Sequence, residues 1–176
     1  TDAEGAYMVR GEIIDLKSKR NLTEERLNKL NEIDFASLPL KDAVVWKTGT
    51  GARRIAVFAD PNCGYCKRFE RELTNAKDVT VYTFLLPILG GDSPEKANAI
   101  WCAKDASAAW RNWMVDGVPP PKLLGACASP IERNVALSKK HRVNGTPAIV
   151  FEDGTRVPGM LTTAQLEKQL ATSSKN

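Results

Sequence analysis

Several features are scarce or missing in this sequence of 176 residues. Its apolar runs all fall short of the roughly 18 to 20 residues that a membrane-spanning helix needs. The 25 Lys and Arg alternate with the 21 Asp and Glu and form no block of one sign. Nucleic acid is therefore not an expected partner. The sequence also contains no internal repeat and no low-complexity tract.

Histidine occurs once and cysteine four times, so the sequence offers few of the usual ligands for a transition metal. Two of the cysteines form the motif CGYC at positions 63–66. A CxxC motif can supply two of the four ligands of a zinc site. The site would then need a second pair of ligands, and Cys102 and Cys127 are not in CxxC spacing. We therefore expect no metal and no cofactor, with a metal carrier as a weak alternative.

The chain is long enough for one substantial core, so we expect one domain with an appendage. Residues 1–40 read as the appendage. A loosely alternating apolar stretch over 6–16 predicts one or two short strands. Thr23 predicts the N-cap of a mostly polar helix, to which Leu27, Leu30 and Ile33 give one modest apolar face. Residues 41–176 then form the main domain.

The main domain is predicted to be an α/β fold of the thioredoxin type. A continuous apolar run over 55–59 indicates a strand buried on both faces. The CGYC motif follows directly, and residues 67–74 continue as a helix. Residues 79–86 predict a second strand, and the order strand, helix, strand implies a parallel pair.

The rest of the domain is predicted to be a helical insertion followed by a hairpin and a covering helix. Over about 88–144 the signals are helical, with Ser93 and Ser129 each placed as a cap before proline. Residues 148–151 and 155–157 predict the hairpin. Thr162 and Gln165 can cap the last helix.

Cys63 is the predicted nucleophile of a thiol-disulfide site. A cysteine at a helix start lies beside unpaired backbone N–H groups, which favour its thiolate. Cys66, one turn later, can reach Cys63 and resolve a mixed disulfide. Gly64 and Tyr65 carry no acid or base near neutral pH, but they shape the turn and so the balance of dithiol and disulfide.

The other two cysteines, Cys102 and Cys127, fall in the helical insertion near three tryptophans. Such a pair can join two helices. We favour a structural disulfide here over two free buried thiols.

Three segments of the chain resemble the DsbC/DsbG family of periplasmic disulfide isomerases: FADPNCGYC at 58–66, GTPA at 145–148 and GTRVPG at 154–159. The resemblance implies that Cys63 and Cys66 are the redox pair and that Cys102 and Cys127 form a second, non-catalytic disulfide. It also implies that Thr146 and Pro147 form a cis-proline loop, where Thr146 would offer backbone hydrogen bonds to substrate and tune the pair.

The same resemblance sets expectations for the N-terminal arm. Residues 5–11 resemble the end of that family's dimerisation domain, and residues 22–35 resemble its linker helix. Most of the dimerisation domain is then absent from this chain. Family members are homodimers that receive electrons from the membrane reductase DsbD, so this chain is expected to be periplasmic and monomeric as given.

The sequence thus predicts an enzyme, a protein disulfide isomerase that reduces and rearranges wrong disulfides in substrate proteins. Two alternatives keep the same chemistry: a reductase that rescues oxidised single cysteines, as in DsbG, or a dithiol oxidase. A third alternative is a non-enzymatic chaperone or binding module with structural cysteines.

Overall fold

The computed structural model describes residues 3–8, 10–122, 125 and 127–173. It divides into two compact units, residues 1–32 and residues 33–176. The second unit begins earlier than the boundary near residue 40 that the sequence suggested. The reason is that Ile33, Phe35 and Leu38 are buried in its core.

The first unit contains one helix, α1, Leu22–Leu30. Thr23 was wrongly predicted as its N-cap. The cap is Asn21, whose side chain accepts from the Glu24 N–H at 3.0 Å, because the Thr23 hydroxyl instead accepts from the Ile13 N–H. The strands expected over 6–16 do not form in the described part of that stretch, where Ile14 makes only an isolated bridge to Asn21.

The second unit is built on a five-stranded sheet in the order β1-β3-β2-β4-β5. The central pair β2 and β3 is parallel, as predicted, and the other neighbours are antiparallel. The strands are β1 Val44–Lys47, β2 Arg53–Ala59, β3 Val79–Leu85, β4 Ala148–Phe151 and β5 Arg156–Pro158.

Strand β2 runs through the centre of the core because it is apolar on both faces. Ile55, Val57 and Ala59 lie in one buried cluster, and the alternate residues Ala56 and Phe58 lie in the other. All five are at most 1% exposed. The polar loop that follows β2 is therefore anchored at the end of the most buried strand.

Five helices occur among the described residues of this unit, and the four between β2 and β4 include the predicted helical insertion. They are α2 Gly64–Leu73, α3 Ser93–Trp101, α4 Ala106–Arg111, α5 Ile131–Lys140 and α6 Thr163–Ser173, with a π-helical turn at Asn112–Asp116 after α4. Helix α2 follows β2 directly and leads to β3. The predicted α/β class with a thioredoxin-like fold is confirmed.

One of the three predicted caps in this unit is confirmed, since Thr162 and Gln165 bond reciprocally at the start of α6. Ser129 is not the N-cap of α5, because Pro130 holds that position, although the Ser129 hydroxyl accepts from the Ile131 N–H at 3.2 Å. Ser93 does not cap α3. It is fully buried, and its hydroxyl donates to the Asp60 carboxylate at 2.8 Å. None of the helices in the described residues is long and apolar enough to cross a membrane.

Candidate active site

Cys63 ends the short loop between β2 and α2 and is the N-cap residue of that helix. Its sulfur accepts a hydrogen bond from the Cys66 N–H at 3.1 Å. A helix N-terminus presents unpaired N–H groups and partial positive charge, and both stabilise a negative sulfur. The local sequence produces this geometry because a buried strand and a helix meet at the motif.

The environment lowers the pKa of Cys63 from 9.0 to about 6. The largest cause is the side-chain hydrogen bond from Cys66, followed by the Thr146 side chain and the Cys66 and Tyr65 backbone, while burial acts in the opposite direction. With a pKa of about 6, about nine-tenths of the thiol is ionised at pH 7. Cys63 is therefore reactive at neutral pH.

Cys66 has the opposite character. It is 1% exposed, and burial raises its pKa, helped by the hydrogen bond and the charge of Cys63. Both residues are free cysteines in this structure. A thiolate at Cys63 beside a protonated thiol at Cys66 gives one attacking and one resolving group.

The Thr146–Pro147 segment faces the cysteine pair from a distant part of the chain. The Cys63 thiol donates to the Thr146 carbonyl at 3.4 Å, across 83 positions of sequence. The peptide bond between Thr146 and Pro147 is cis, and the Pro147 carbonyl accepts from the Gly159 N–H at 2.8 Å. Six of the predicted site residues thus meet in one place: Cys63, Gly64, Tyr65, Cys66, Thr146 and Pro147.

The two residues inside the motif form its solvent-facing rim. Gly64 is exposed, and open space surrounds the position of a side chain there. Tyr65 is 61% exposed, and the Arg68 guanidinium lies 5.4 Å from the centre of its ring. Cys63 itself is only 4% exposed, so these two residues form the exposed part of the motif.

Asp60 supports the loop that carries Cys63, and sequence reasoning did not identify it. Its fully buried carboxylate accepts from the Asn62 N–H at 2.7 Å, the Ser93 hydroxyl at 2.8 Å and the Leu89 N–H at 2.9 Å. Three donors compensate for burying the charge. The only sequence signal was an acidic residue directly after an apolar strand.

Trp113 is a second contact that sequence reasoning missed. Its indole N–H donates to the Pro61 carbonyl at 2.6 Å, which fixes the π-helical turn against the loop preceding Cys63. In the sequence, Trp113 is one of the three tryptophans near Cys102 and Cys127, and nothing in that pattern indicates this contact. The helical insertion therefore borders the active site directly.

Cys102 and Cys127 are joined in a disulfide and lie outside the active site. Their Cα atoms are 6.0 Å apart. The bond links the end of α3 to the segment before α5, so these two sulfurs cannot serve as metal ligands. No group of three or more His, Cys, Asp or Glu suited to a metal occurs in the part of the chain that the structure describes.

A model of the thioredoxin-like domain matches residues 40–174. The chain therefore belongs to the thioredoxin-like domain family, as its sheet order, its CxxC at a helix start and its cis-proline loop indicate.

Comparison with individual proteins narrows this class to DsbC-like proteins. The probable thiol:disulfide interchange protein DsbC of Bordetella avium is 45% identical over 97% of this chain and 61% of its own length. DsbC of Escherichia coli K12 is 32% identical over 89% of this chain and 65% of its own length. The resemblance to the DsbC/DsbG family is thus confirmed, and this chain spans about three-fifths of the length of these relatives.

Solved structures agree with this placement. A disulfide interchange protein from Neisseria gonorrhoeae is 36% identical, with a TM-score of 0.74, and the match covers 79% of this chain and all of that one. A linker-deletion mutant of ScsC from Proteus mirabilis is 26% identical, with a TM-score of 0.63 over 86% of this chain and 85% of its own.

Proposed function

We propose that this chain is the catalytic part of a periplasmic protein disulfide isomerase, with Cys63 as nucleophile and Cys66 as resolving thiol. The observation that carries the proposal is the asymmetry of the pair. Cys63 caps a helix and has a pKa of about 6, whereas burial raises the pKa of Cys66. Only one of the two sulfurs is thus ready to attack.

The reaction begins when the Cys63 thiolate attacks one sulfur of a substrate disulfide. A Cys63–substrate disulfide forms, the substrate S–S bond breaks, and the departing substrate sulfur leaves as a thiolate that takes a proton from solvent. No electrons are gained or lost overall, since one disulfide replaces another.

The mixed disulfide then has two exits. In isomerisation, a second substrate thiolate attacks the substrate sulfur, forms a new substrate disulfide and releases Cys63 as a thiolate. In reduction, Cys66 loses its proton and attacks the Cys63 sulfur, which yields a Cys63–Cys66 disulfide and a substrate reduced by two electrons. Burial still raises the pKa of Cys66 in the mixed disulfide, which disfavours this second exit and gives the substrate time to rearrange.

Thr146 contributes the surface on which an extended substrate segment would lie. Its carbonyl accepts from the Cys63 thiol, so ionisation of Cys63 frees that carbonyl for a substrate N–H. Its side chain also contributes to the low pKa of Cys63. We assign Thr146 and Pro147 to substrate binding and redox tuning on this basis.

The family resemblance supplies the wider setting of this proposal. We assign the protein to the periplasm, where the Cys102–Cys127 disulfide can persist. We also propose that a DsbD-like membrane reductase donates the electrons that return the site to its dithiol form. The full-length protein would be a homodimer. Residues 1–32 then correspond to the end of its dimerisation domain and its linker.

The proposal is tested by two assays run in parallel, insulin reduction and refolding of a scrambled multi-disulfide protein. Three proteins are compared: this chain, Cys63→Ser and Cys66→Ser. We expect Cys63→Ser to be inactive in both assays. Cys66→Ser should lose insulin reduction, keep part of the refolding activity and accumulate a mixed disulfide that mass spectrometry detects.

The outcomes separate the related functions. Reduction without refolding would identify a reductase, and activity of Cys63→Ser equal to that of the parent chain in either assay would refute a catalytic role for the pair. A double variant, Cys102→Ala with Cys127→Ala, is the matched control, because it removes two cysteines outside the active site.

A further inference from the structure

Two lysines and a tryptophan form a cluster beside the loop that carries Cys63. The Nζ atoms of Lys67 and Lys96 lie 3.7 and 4.6 Å from the centre of the Trp113 ring. Lys67 belongs to α2, one residue after Cys66, and Lys96 belongs to α3. We call these three residues the lysine–tryptophan cluster.

The cluster is held at a fixed position relative to Cys63. The Trp113 indole N–H donates to the carbonyl of Pro61, two residues before Cys63. The Lys67 N–H donates to the Cys63 carbonyl at 3.0 Å. Because both bonds connect the cluster to the backbone around Cys63, we expect a group bound there to be close to a substrate attached to that sulfur.

The ammonium groups of Lys96 and Lys67 differ in the groups that balance their positive charge. Lys96 forms an ion pair with Asp92 at 2.8 Å and donates to the Asn62 side chain at 2.9 Å. Lys67 has no carboxylate partner among the residues that the structure describes, and its ammonium contacts only the aromatic ring.

A half-buried ammonium next to another cation is unfavourable, and an aromatic ring supplies no formal negative charge to balance it. Burial lowers the pKa of Lys67, and the charges of Lys96 and Arg71 lower it further. An incoming carboxylate would offset the repulsion from these two cations, since it would supply an opposite charge and accept charge-assisted hydrogen bonds.

We propose that the lysine–tryptophan cluster is a specificity subsite that binds an Asp or Glu side chain close to the reacting cysteine of the substrate. This inference rests on the proposed function of Cys63. It makes the enzyme selective among disulfides by the charge of the flanking residues. Lys67 provides the binding charge and Trp113 positions it, while the charge of Lys96 is already paired with Asp92.

The test uses the reduced full chain and a set of short peptide disulfides. A single Glu or Gln occupies each of the three positions on either side of the peptide cysteine, and the rate of peptide thiol release is measured. At one or more positions we expect the Glu peptide to react about three to ten times faster than its Gln counterpart. The Gln peptide is the internal reference, so any general damage to Cys63 cancels in the ratio.

Three variants test whether Lys67 causes the preference for the Glu peptide. Lys67→Gln should bring the ratio close to one, while Lys67→Arg should retain most of it. Lys139→Gln removes the same charge from an exposed position on α5 and should leave the ratio as in the parent chain.

A parent ratio of one at every position, or a preference that survives Lys67→Gln, would overturn this inference and leave the proposed function intact. Absence of reaction with all peptides would overturn the proposed function, and the subsite with it.

Discussion

Replacing Glu70 by Gln should stabilise the protein at neutral and alkaline pH. Glu70 lies on α2 and is 2% exposed. Its Oε1 accepts from the Trp110 indole N–H at 2.7 Å, but its buried Oε2 has no hydrogen-bond partner in the part of the chain that the structure describes. An ionised carboxylate there is poorly compensated.

The pKa gives the size and sign of the effect. Burial raises the pKa of Glu70 from 4.5 to about 7, against the hydrogen bond from Trp110 and the charge of Arg111. Between these two values the unfolded chain releases a proton that the folded chain retains, so stability falls as pH rises. The full penalty, reached above about pH 7, is about 3 kcal/mol.

Glu70→Gln keeps an acceptor for Trp110 and removes the charge. In urea unfolding, the variant should match the parent chain near pH 4 and exceed it by up to about 3 kcal/mol near pH 8. Glu132→Gln, at an exposed position on α5, is the matched control and should show no such trend. A pH-independent difference between Glu70→Gln and the parent chain would refute the reasoning.

Two further predictions concern parts of the fold outside the active site. Replacing Cys102 and Cys127 by Ala removes the disulfide, which closes a loop of 25 positions, and should lower the free energy of unfolding by about 3 kcal/mol. Urea unfolding measures this loss, and an unchanged midpoint of the urea transition would contradict the prediction. Asp42 accepts two hydrogen bonds from Arg133, each at 2.8 Å, which lower its pKa. Asp42→Asn should therefore lose about 1 kcal/mol at neutral pH. That loss should shrink as the pH of the unfolding experiment falls below about 4, because the aspartate of the unfolded chain binds a proton there and the folded Asp42, with its lowered pKa, does so only at lower pH. A loss that is constant with pH would count against the ion pair.

The reactive pair could be predicted from sequence because its geometry is local. An apolar strand, a CxxC and a helix follow one another within 53–73, and the helix start alone explains why Cys63 is favoured as the thiolate. The proximity of Thr146 depends instead on β4 pairing with β2, a long-range contact that no local pattern encodes. Only the family resemblance pointed to it.

Buried polar residues account for most of what sequence reasoning missed. Glu70 stands in a run of charged residues on α2, and Asp60 in a polar loop, so both resemble solvated positions. Their burial follows from where α3, α4 and the π-helical turn pack, which periodicity does not reveal. The cap of α1 was also missed: the Thr23 hydroxyl accepts from the Ile13 N–H, and the Asn21 side chain accepts from the Glu24 N–H and caps the helix.

The most direct test of the central claim is the pH dependence of alkylation of the reduced chain by iodoacetamide, with mass spectrometry assigning the modified residue. Thiolate chemistry at Cys63 predicts that Cys63 alone is modified in the native protein and that its rate reaches half its maximum near pH 6, as its pKa of about 6 requires. A midpoint near pH 9, or equal modification of Cys63 and Cys66, would contradict it.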